Sequence, residues 1–300
     1  MQRKSPRVLV LGKTGMLGAA VFKRLAGHEG WVVDGTQRSD HAKPLYFDAY
    51  QGVAGLKDIL SRNRYNYIIN CIGVLQSSID ERDPGSVRCA ITVNGLFPYL
   101  LAQAASEISA RVIHISTDGV FSGRSPAPYL EDSPLDCIDH YGRTKALGEC
   151  PAENFINIRC SIIGRDAAGK NGLLEWFLGI AAGETVTGYQ DCLWNGVSTG
   201  QFARLCEAII REDRFVQLRS ESHVFHFCPN QPVSKYELLC LFKKVTGKRI
   251  NINKGDLGKA AYSRILGTSF KALKSLYEER MNWEEIIREV IEENGKASGK

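Results

Sequence analysis

A tyrosine and a lysine stand four residues apart in the segment Tyr141-Gly-Arg-Thr-Lys145. If this segment forms a helix, both side chains lie on one face, and a phenol and an ammonium can reach the same ligand. A phenol has an ordinary pKa of about 10, and a neighbouring cation lowers it, which makes the hydroxyl a stronger acid toward a developing alkoxide. The pair therefore suits the reduction of a carbonyl group, whose oxygen must receive a proton.

Thr117 precedes the tyrosine by 24 residues, in the segment Ile115-Ser-Thr-Asp-Gly-Val-Phe-Ser-Gly123. Its hydroxyl can give a second hydrogen bond to the oxygen that the phenol protonates. The spacing of Tyr141 and Lys145 is common by itself, because many helices carry such a pair on their solvated face. The interpretation therefore depends on the elements around the pair.

Three glycines at a spacing of three residues, Gly12, Gly15 and Gly18, lie near the start of the chain. They fall between a predicted strand, Arg7–Leu11, and a predicted helix, Met16–Ala26. In such a turn, backbone N–H groups can approach a pyrophosphate at the positive end of the helix. We therefore expect a dinucleotide here, with a glycine-rich turn that binds no ligand as the alternative.

The end of the second predicted strand, residues 31–36, decides between NAD and NADP. Asp34 lies about 20 residues beyond the glycines, where a carboxylate would bind the ribose hydroxyls of NAD. If the strand continues to Thr36, however, Arg38 lies in the following loop, where a guanidinium can bind the 2′-phosphate of NADP. The sequence therefore favours NADPH and leaves NADH open.

Two further positions suit the adenosine half of the cofactor. Gly73 follows a predicted strand at residues 67–71, and its small size would let the backbone approach the ligand. Asp48 is placed to accept a hydrogen bond from the adenine amine. Both residues can equally be ordinary turn residues.

The N-terminal half alternates short apolar segments with helix-like ones, the pattern of a parallel sheet covered on both faces. Further strands are predicted at Arg111–Ser116 and 155–162, and further helices at 52–62, 87–105 and 141–150. Right-handed crossovers would bring the carboxyl ends of the strands to one edge, where a ligand would lie. The predicted fold class is α/β, with a Rossmann-type doubly wound parallel sheet.

After Gly164 the pattern changes and becomes mainly helical. Helices are predicted at 172–182, 200–211, 234–246 and 283–293, and one strand at 224–228. We predict a Rossmann domain of residues 1–163 and 197–229, and a smaller, mainly helical C-terminal substrate domain of residues 164–196 and 230–295. Residues 296–300 are predicted to be a disordered tail.

The composition is that of a globular protein, with 44% hydrophobic and 24% charged residues among 300. A net charge of +5 is too small to indicate nucleic-acid binding. The nine cysteines contain no Cys-x-x-Cys spacing and read as reduced core residues, and no apolar segment approaches the roughly 20 residues that cross a membrane. We expect a cytoplasmic protein that binds neither nucleic acid nor membrane.

Four histidines near the predicted strands do not suggest a metal site. His223 and His226 lie three apart in an apolar segment, so they would project from opposite faces of a strand. His114 and His140 flank the catalytic candidates in sequence, but no partner carboxylate is in view, and we interpret both as structural. No metal is therefore expected.

Several motifs occur in the order of one known family. They are Gly12-x-x-Gly15-x-x-Gly18, Ile115-Ser-Thr-Asp-x-Val-Phe-x-Gly123, Tyr129-x-Glu131, Tyr141-Gly-Arg-Thr-Lys145, Leu147-Gly-Glu149, Ile158-Arg-Cys-Ser161, Gly196-Val-Ser-Thr199 and Ser234-Lys-Tyr-Glu-Leu238. Together they resemble the extended short-chain dehydrogenase/reductases. Within this class, the sequence is most similar to the dTDP-4-dehydrorhamnose reductase group.

The resemblance implies hydride transfer from a nicotinamide to the ketone of a nucleotide-activated sugar. Tyr141 would give the proton, Thr117 would orient the carbonyl, and Lys145 would bind the nicotinamide ribose and hold the phenol acidic. Implied cofactor contacts are Gly12, Thr14, Gly15, Met16, Leu17, Gly18, Arg38, Asp48, Cys71, Ile72, Gly73, Tyr141 and Lys145. Implied substrate contacts are Thr117, Asp118, Val120, Phe121, Tyr141, Trp194 and Asn195, although a buried core tryptophan is an equal alternative for Trp194.

The sequence departs from the rhamnose enzymes at two positions that we expect to face the substrate. Gly119 stands where they usually have a second tyrosine, and Val197-Ser198 replaces their Gly-x-Pro-Thr pattern. The expected function is reduction of a nucleotide-linked 4-keto-6-deoxy sugar by NADPH, in surface polysaccharide or deoxysugar precursor biosynthesis, with a homodimer as one possible assembly. An epimerase on the same scaffold and a non-catalytic, dinucleotide-binding regulatory subunit are the alternatives.

Overall fold

The computed structural model describes residues 5–40, 42, 45–125, 128–166, 169, 172–277 and 282–295. Its strands are β1 Arg7–Leu11, β2 Val32–Gly35, β3 Tyr67–Asn70, β4 Arg111–Ser116, β5 Phe155–Arg159, β6 Ile162–Ile163, β7 Thr185–Tyr189, β8 Leu193–Trp194, β9 Val197–Ser198, β10 Val224–His226, β11 Val233–Ser234 and β12 Asn251–Gly255. Its α-helices are α1 Met16–Ala26, α2 Ala54–Arg62, α3 Pro84–Ala90, α4 Phe97–Glu107, α5 His140–Leu147, α6 Leu173–Gly179, α7 Thr199–Arg211, α8 Phe215–Glu221, α9 Lys235–Thr246, α10 Lys271–Lys274 and α11 Trp283–Gly295.

In the described part of the chain, six parallel strands form the central sheet, in the order β2, β1, β3, β4, β5 and β10. A parallel bridge between Gln37 and Tyr46 adds a short edge beside β2, which the sequence did not predict. Chain order along the sheet reverses between β1 and β3, and the crevice at that point is where ligands bind in such sheets. The α/β fold class is confirmed.

Two hydrophobic cores cover the sheet because successive residues of each strand point to opposite faces. In β1, Val8 and Val10 pack with residues of α1 and α7, whereas Leu9 and Leu11 pack with residues of α2 and α4. All four side chains are fully buried. Burial on both faces explains why β1 reads as a continuous apolar segment.

The single helix predicted at residues 87–105 is wrong. The chain instead forms α3, a π-helical turn at Ile91–Leu96, and α4. Pro98 has no N–H to give to the carbonyl of Asn94 four residues earlier, so a regular α-helix cannot continue through this point. The freed backbone at Asn94 becomes part of the cleft described below.

The C-terminal part holds a third core, formed mainly by residues of α6, α9 and α11, among them Phe177, Phe242 and Ile287. Here the sequence missed the parallel pair of β7 and β12. Both strands are largely exposed and carry few apolar residues, so their pattern gives little signal. The predicted strand at 155–162 is also two strands, because β6 leaves the central sheet to pair with β9.

Four further predictions concern the C-terminal tail, the division into domains, metal ions and membranes. The tail at 296–300 lies outside the described residues, and the division into two domains stays a prediction. Among the described residues, no group of three or more His, Cys, Asp or Glu side chains could hold a metal ion. No described helix has both the length and the apolar character needed to cross a membrane.

A buried ion pair joins β5 to the segment after α5. The guanidinium of Arg159 meets the carboxylate of Glu149 through two hydrogen bonds of 2.7 Å, and their side chains are only 4% and 5% exposed. Glu149 also accepts from the hydroxyl of Ser116 at the end of β4, and Arg159 contacts His226 of β10. The pair therefore ties three neighbouring strands to the helix that carries Tyr141.

Replacement of Arg159 by leucine is expected to lower the free energy of unfolding by about 3–5 kcal/mol, because Glu149 would keep a buried, unpaired charge. The matched control is Arg288→Leu, which removes an arginine from an exposed pair with Glu284 on α11. That change should cost less than about 1 kcal/mol. Urea unfolding of both variants measures the difference, and equal losses would contradict a dominant role for the buried pair.

Candidate active site

The glycine turn is tied to the end of β2. Gly12 has a φ of +80°, which favours glycine, and its N–H donates to the hydroxyl of Thr36 at 3.0 Å. A side chain at Gly18 would place its Cβ 2.1 Å from the carbonyl oxygen of Gly12, so helix α1 packs directly on the turn. The turn and the helix start are thereby held together, as predicted from the spacing of the glycines.

Helix α1 begins without a side-chain cap among the described residues, whereas Asp139 caps α5 and Ser198 caps α7. The first N–H groups of an α-helix have no partner within the helix. The amides of Met16 and Leu17 therefore point to the turn, with the positive end of the helix dipole behind them. This arrangement fits a dinucleotide pyrophosphate.

A cleft of about 300 Å³ opens beside this helix start. It is lined by Gly15, Met16, Leu17, Cys71, Ile72, Gly73, Val74, Leu75, Ile115, Ser116, Thr117, Tyr141, Lys145, Cys160, Ser161 and Ile162. The structure thus brings the glycine turn, the ends of β3 and β4, and the Tyr/Lys helix to one place. These elements are far apart in sequence and meet at the carboxyl edge of the sheet.

Asn94, which the sequence did not single out, ties three parts of this cleft together. Its side-chain oxygen accepts from the N–H of Val74 at 2.8 Å, and its amide donates to the carbonyl of Val74 at 3.0 Å. The same amide lies 3.3 Å from the hydroxyl of Thr144 on α5. The π-helical turn therefore holds both the β3 end and the helix of Tyr141 in position.

Helix α5 is held by close backbone contacts at both ends. A Cβ at Gly142 would lie 2.2 Å from the carbonyl oxygen of Gly119, and one at Gly148 would lie 1.9 Å from that of Asn94. At its start, the carboxylate of Asp139 accepts from the N–H of Gly142 at 2.7 Å. These contacts fix the position of α5 and therefore how far the side chains of Tyr141 and Lys145 reach into the cleft.

The phenol of Tyr141 stays protonated at neutral pH. Burial raises the pKa of Tyr141 to about 12, and hydrogen bonding by Thr117 opposes this rise only in part. The phenol is therefore a weaker acid than an ordinary tyrosine in the protein alone, contrary to our expectation, because burial has the largest effect on its pKa. Thr117 lies at the end of β4 and accepts from the N–H of Gly119 at 3.0 Å.

The amine of Lys145 lies beneath the cleft and is almost fully buried. It donates to the carbonyl of Ile115 at 2.6 Å and lies 3.4 Å from Nε2 of His114. Burial lowers the pKa of Lys145 to about 8, although the carboxylate of Glu149 favours the charged form. Protonation of this lysine is thus sensitive to pH near neutrality.

A charged cluster lies beside Tyr141, and sequence reasoning missed two of its members. Asp118 is buried, which raises the pKa of its carboxyl, and the nearby cations Arg264 and Lys235 oppose that rise. The ammonium of Lys235 lies 5.2 Å from the ring centroid of Trp194, and Nε of Arg264 is buried without a hydrogen-bond partner in the described structure. Two cations thus face one carboxylate.

Several predicted substrate contacts have structural roles in this conformation. Val120 and Phe121 are fully buried, and Trp194 lies in the C-terminal core, where it packs on Trp283. The side-chain oxygen of Asn195 accepts from the N–H of Leu266 at 3.0 Å, and its NH₂ group donates to the carbonyl of Leu266 at 2.8 Å. Substrate contact by these residues stays a prediction.

Val197 and Ser198, where the sequence departs from the rhamnose enzymes, do not lie where we expected them. Both residues are fully buried, and the hydroxyl of Ser198 caps helix α7 by accepting from the N–H of Gln201. Neither residue lines the cleft. Gly119 does border Tyr141, because a Cβ there would lie 3.0 Å from the tyrosine ring. Gly119 therefore packs against the ring of Tyr141 without itself lining the cleft.

At the end of β2, the structure separates the two candidates for cofactor choice. Asp34 accepts a hydrogen bond from the buried hydroxyl of Tyr65 at 2.8 Å, whereas Arg38 is exposed. Lys13, which we had not predicted here, also lies at the end of β2. Its side chain packs against Gly35 so closely that a Cβ at that glycine would lie 2.5 Å from it. The sequence did contain a signal for this second cation, because Lys13 lies inside the glycine turn.

Asp48 lies in the loop beyond the short edge beside β2. Its carboxylate accepts from the N–H of Tyr50 at 3.0 Å and caps a short 3₁₀ turn at Ala49–Gln51. Asp48 therefore acts as an ordinary turn residue, which was one of the two alternatives that the sequence left open. A contact of Asp48 with adenine stays a prediction.

Comparison with known proteins connects this site to a family. Residues 6–294 match the family described as RmlD substrate binding domain. Methionine adenosyltransferase 2 subunit beta of Danio rerio is 26% identical over 248 residues, which cover 78% of this chain and 72% of that protein. The dTDP-4-dehydrorhamnose reductase of Streptomyces griseus is 33% identical over 144 residues, which cover 48% of this chain and 44% of the relative.

A solved dTDP-4-dehydrorhamnose reductase of Bacillus anthracis, in complex with NADP, has the same fold. It superposes with a TM-score of 0.77 at 17% identity, and the match covers 96% of this chain and 99% of that one. At this identity the likeness speaks for the fold alone, whereas the family match extends over nearly the whole sequence. The resemblance drawn from the motifs is confirmed: the chain belongs to the RmlD substrate binding domain family of extended short-chain dehydrogenase/reductases.

Proposed function

We propose that this protein is an NADPH-dependent reductase of a nucleotide-linked 4-keto-6-deoxy sugar, in deoxysugar or surface polysaccharide precursor biosynthesis. The observation that carries the proposal is the convergence of Thr117, Tyr141 and Lys145 on the cleft bordered by the glycine turn. The Streptomyces griseus relative, which is named for dehydrorhamnose reduction, supports the substrate class.

The residues around the glycine turn would hold the cofactor. Amides at the start of α1 would bind the pyrophosphate, and the walls at Cys71, Ile72 and Gly73 would contact the dinucleotide. Arg38 and Lys13, at the end of β2, would bind a 2′-phosphate. When bound, NADPH supplies the hydride that adds to the ketone carbon.

Tyr141 would act as the proton donor to the ketone oxygen. Its phenol, with a pKa raised by burial to about 12, holds its proton at neutral pH and gives it to the more basic alkoxide that develops as hydride adds. Thr117 would give a second hydrogen bond to that oxygen. Both groups are held by α5 and β4 before the substrate arrives, which is the preorganisation that such catalysis requires.

Lys235 and Arg264 support an anionic substrate. Together with Asp118 they give the side of the cleft near Tyr141 an excess of one positive charge, and no ion pair within 4 Å joins the three described residues. The diphosphate of a nucleotide sugar carries the matching charge. We propose that these two cations bind it.

A second candidate function is a non-catalytic, dinucleotide-binding subunit of another enzyme. One observation favours it: the Danio rerio relative matched over most of this chain is named as a subunit of methionine adenosyltransferase. The intact set of Thr117, Tyr141 and Lys145 supports the reductase instead, because a subunit that only binds a partner needs no proton donor. Fold alone does not decide between them.

We also propose a cytoplasmic homodimer. All nine cysteines are free thiols, as in proteins of reducing compartments. Four exposed apolar side chains lie on the neighbouring π-helical turn, α4 and α5, namely Ile91, Leu96, Tyr99 and Leu147. Such a patch suits association with a second copy.

The direct test incubates purified protein with NADPH and a panel of UDP-, dTDP- and GDP-linked 4-keto-6-deoxy sugars, while nicotinamide absorbance is followed. We expect NADPH oxidation with at least one member. Consumption with none of them would refute the reductase. Protein that carries stoichiometric dinucleotide without net turnover would indicate an epimerase, which recycles its cofactor.

Tyr141→Phe is expected to lower turnover by about 10²- to 10⁴-fold, the usual contribution of a positioned general acid, with NADPH affinity largely kept. Tyr99→Phe, which removes an exposed hydroxyl on α4, is the control and should match the parent. Steady-state kinetics measure turnover, and nucleotide fluorescence measures binding. Full activity in Tyr141→Phe would remove this residue from the role.

Arg38→Ala is expected to weaken NADPH binding by about 10- to 100-fold and NADH binding much less, because a charge-assisted hydrogen bond to the 2′-phosphate is lost. Arg62→Ala, at the far end of α2, is the matched control for loss of one exposed positive charge. Titration of both cofactors gives the ratio. Equal losses for NADPH and NADH would mean that another residue sets the preference.

Lys235→Ala and Arg264→Ala should each raise the KM for the nucleotide sugar by about 10-fold, with a smaller change in kcat, because each removes a charged contact to a part of the substrate that does not react. The control is Lys254→Ala, an exposed lysine whose ammonium lies 5.1 Å from the ring centroid of Tyr236. KM values close to that of the parent in both variants would exclude a diphosphate site here.

A further inference from the structure

Positive charge is concentrated in one segment of the C-terminal part. Between Glu237 and Asp256 the sequence has no acidic residue and five basic ones, namely Lys243, Lys244, Lys248, Arg249 and Lys254. Removing these five from the 38 basic residues of the chain leaves 33 basic and 33 acidic residues. This one segment therefore carries a charge equal to the whole net charge of +5.

The turn after α9 brings four of these cations to one concave surface. Gly247 caps the helix with a φ of +68°, and its N–H donates to the carbonyl of Lys243 at 3.0 Å, so the chain reverses directly after the last helical turn. The resulting surface, the basic groove, has a volume of about 720 Å³ and contains the cations Lys243, Lys244, Lys248 and Arg249. The rest of its described lining is uncharged.

The protein's own groups neutralise the basic groove only in part. Lys244 forms an ion pair with Glu284 at 2.5 Å, and the ammonium of Lys248 donates to a backbone carbonyl. Lys243 and Arg249 are exposed, and no carboxylate of the described residues lies within 4 Å of either. The negative end of the helix dipole favours cations in the last turn of α9, but Arg249 lies beyond the helix. A bound anion would therefore relieve the repulsion between these like charges.

The lining of the basic groove indicates which class of anion it suits. Sites for small molecules are lined mainly by apolar and aromatic side chains, and single-stranded nucleic acids stack their bases on aromatic rings. The described lining holds no aromatic residue, and its Ile250 is buried. Segments that bind a membrane surface need exposed apolar side chains, and none of the large ones exposed in the described chain lies here. Charge is thus the property by which the groove can hold a ligand.

Acidic residues beside the basic groove limit how far a bound anion can extend. Glu184 follows Gly183 of the lining, Glu285 follows the Glu284 that pairs with Lys244, and both Glu184 and Glu285 are exposed. A nucleic-acid duplex carries a negative charge about every 1.7 Å of its length, and an anionic membrane is a continuous negative surface. Either would extend over these carboxylates and be repelled. A short acidic segment of a polypeptide fits the groove alone.

We propose that the basic groove is a docking site for an acidic segment of a partner protein. Asp or Glu side chains of that segment pair with Lys243 and Arg249, and the small residues Ala182 and Gly183 let its backbone come close. A contact between exposed charges is weakened by salt, so it suits a partner that binds and leaves. The inference rests neither on the proposed cofactor nor on the proposed reduction.

Fluorescence anisotropy of a labelled oligoglutamate peptide measures this docking on the intact protein. We expect saturable binding at low salt, and an affinity about 10-fold lower at physiological ionic strength, where charges are screened beyond about 8 Å. Absence of binding at low salt would overturn the proposal.

Replacement of both Lys243 and Arg249 by glutamate should weaken peptide binding by at least about 10-fold, because two attractions become repulsions. The matched control replaces Arg62 and Arg82 by glutamate, which makes the same change in net charge with two exposed arginines outside the groove. We expect the control to keep the parental affinity. Equal losses in both variants would mean attraction by overall charge and would overturn the site.

Replacement of Lys243 and Arg249 by glutamine removes the attraction without adding repulsion, and it should give a smaller loss than the glutamate variant. Thermal unfolding of every variant verifies that the fold is kept. Parental affinity in a folded glutamine variant would overturn the role of these two side chains.

A short DNA duplex, vesicles rich in phosphatidylserine and inorganic pyrophosphate are the competing anions, and each should displace the labelled peptide poorly. If one of them binds more tightly than the peptide, and the glutamate variant of Lys243 and Arg249 loses that binding, the groove recognises that anion and the proposed partner is wrong. Peptide docking together with no NADPH oxidation on any sugar of the panel would refute the reductase and leave this docking site intact.

Discussion

The buried ion pair between Arg159 and Glu149 is the interaction on which the geometry of the cleft depends. Arg159 ends β5, Glu149 follows the helix of the phenol and the amine, and Ser116, which hydrogen-bonds the same carboxylate, ends β4 one residue before Thr117. A buried pair whose hydrogen bonds are all made cannot shift without leaving a charge unpaired. The positions of Thr117, Tyr141 and Lys145 are therefore set by the buried side chains of Arg159 and Glu149, which do not line the cleft.

The sequence predicted those parts of the fold whose signal is local. The bounds of β1, α1 and β4 agree with the structure, because each is an apolar segment bounded by glycine, or by polar residues. The π-helical turn was missed although Pro98 is a local signal for a broken helix; what the sequence does not indicate is that the freed carbonyl of Asn94 packs against Gly148. The exposed strands β7 and β12 were missed as well, because neighbours far along the chain, not apolar periodicity, hold them in place.

The candidate site divides in the same way. Thr117, Tyr141 and Lys145 were found from the sequence because their types and order are distinctive, and the sheet brings them to one edge. Lys235 and Arg264 could not be found, since nothing in the sequence indicates that these two positions, distant from Asp118, lie beside it. Local patterns thus identify the candidate catalytic groups, whereas the charged surroundings of these groups arise from contacts between distant segments.

Helix α5 packs on two carbonyl oxygens, at Gly142 and at Gly148, which follows the last residue of the helix; the side chains of Cys137 and Pro98 lie against the same glycines. A side chain at either glycine would push the helix away from these oxygens, because its Cβ would lie 2.2 Å from one or 1.9 Å from the other. One of these oxygens belongs to Gly119, so the segment beside Tyr141 cannot move without moving the helix. Lys235 and Arg264, by contrast, come from the C-terminal part of the chain, and these charged side chains can change without altering the backbone contacts that hold α5.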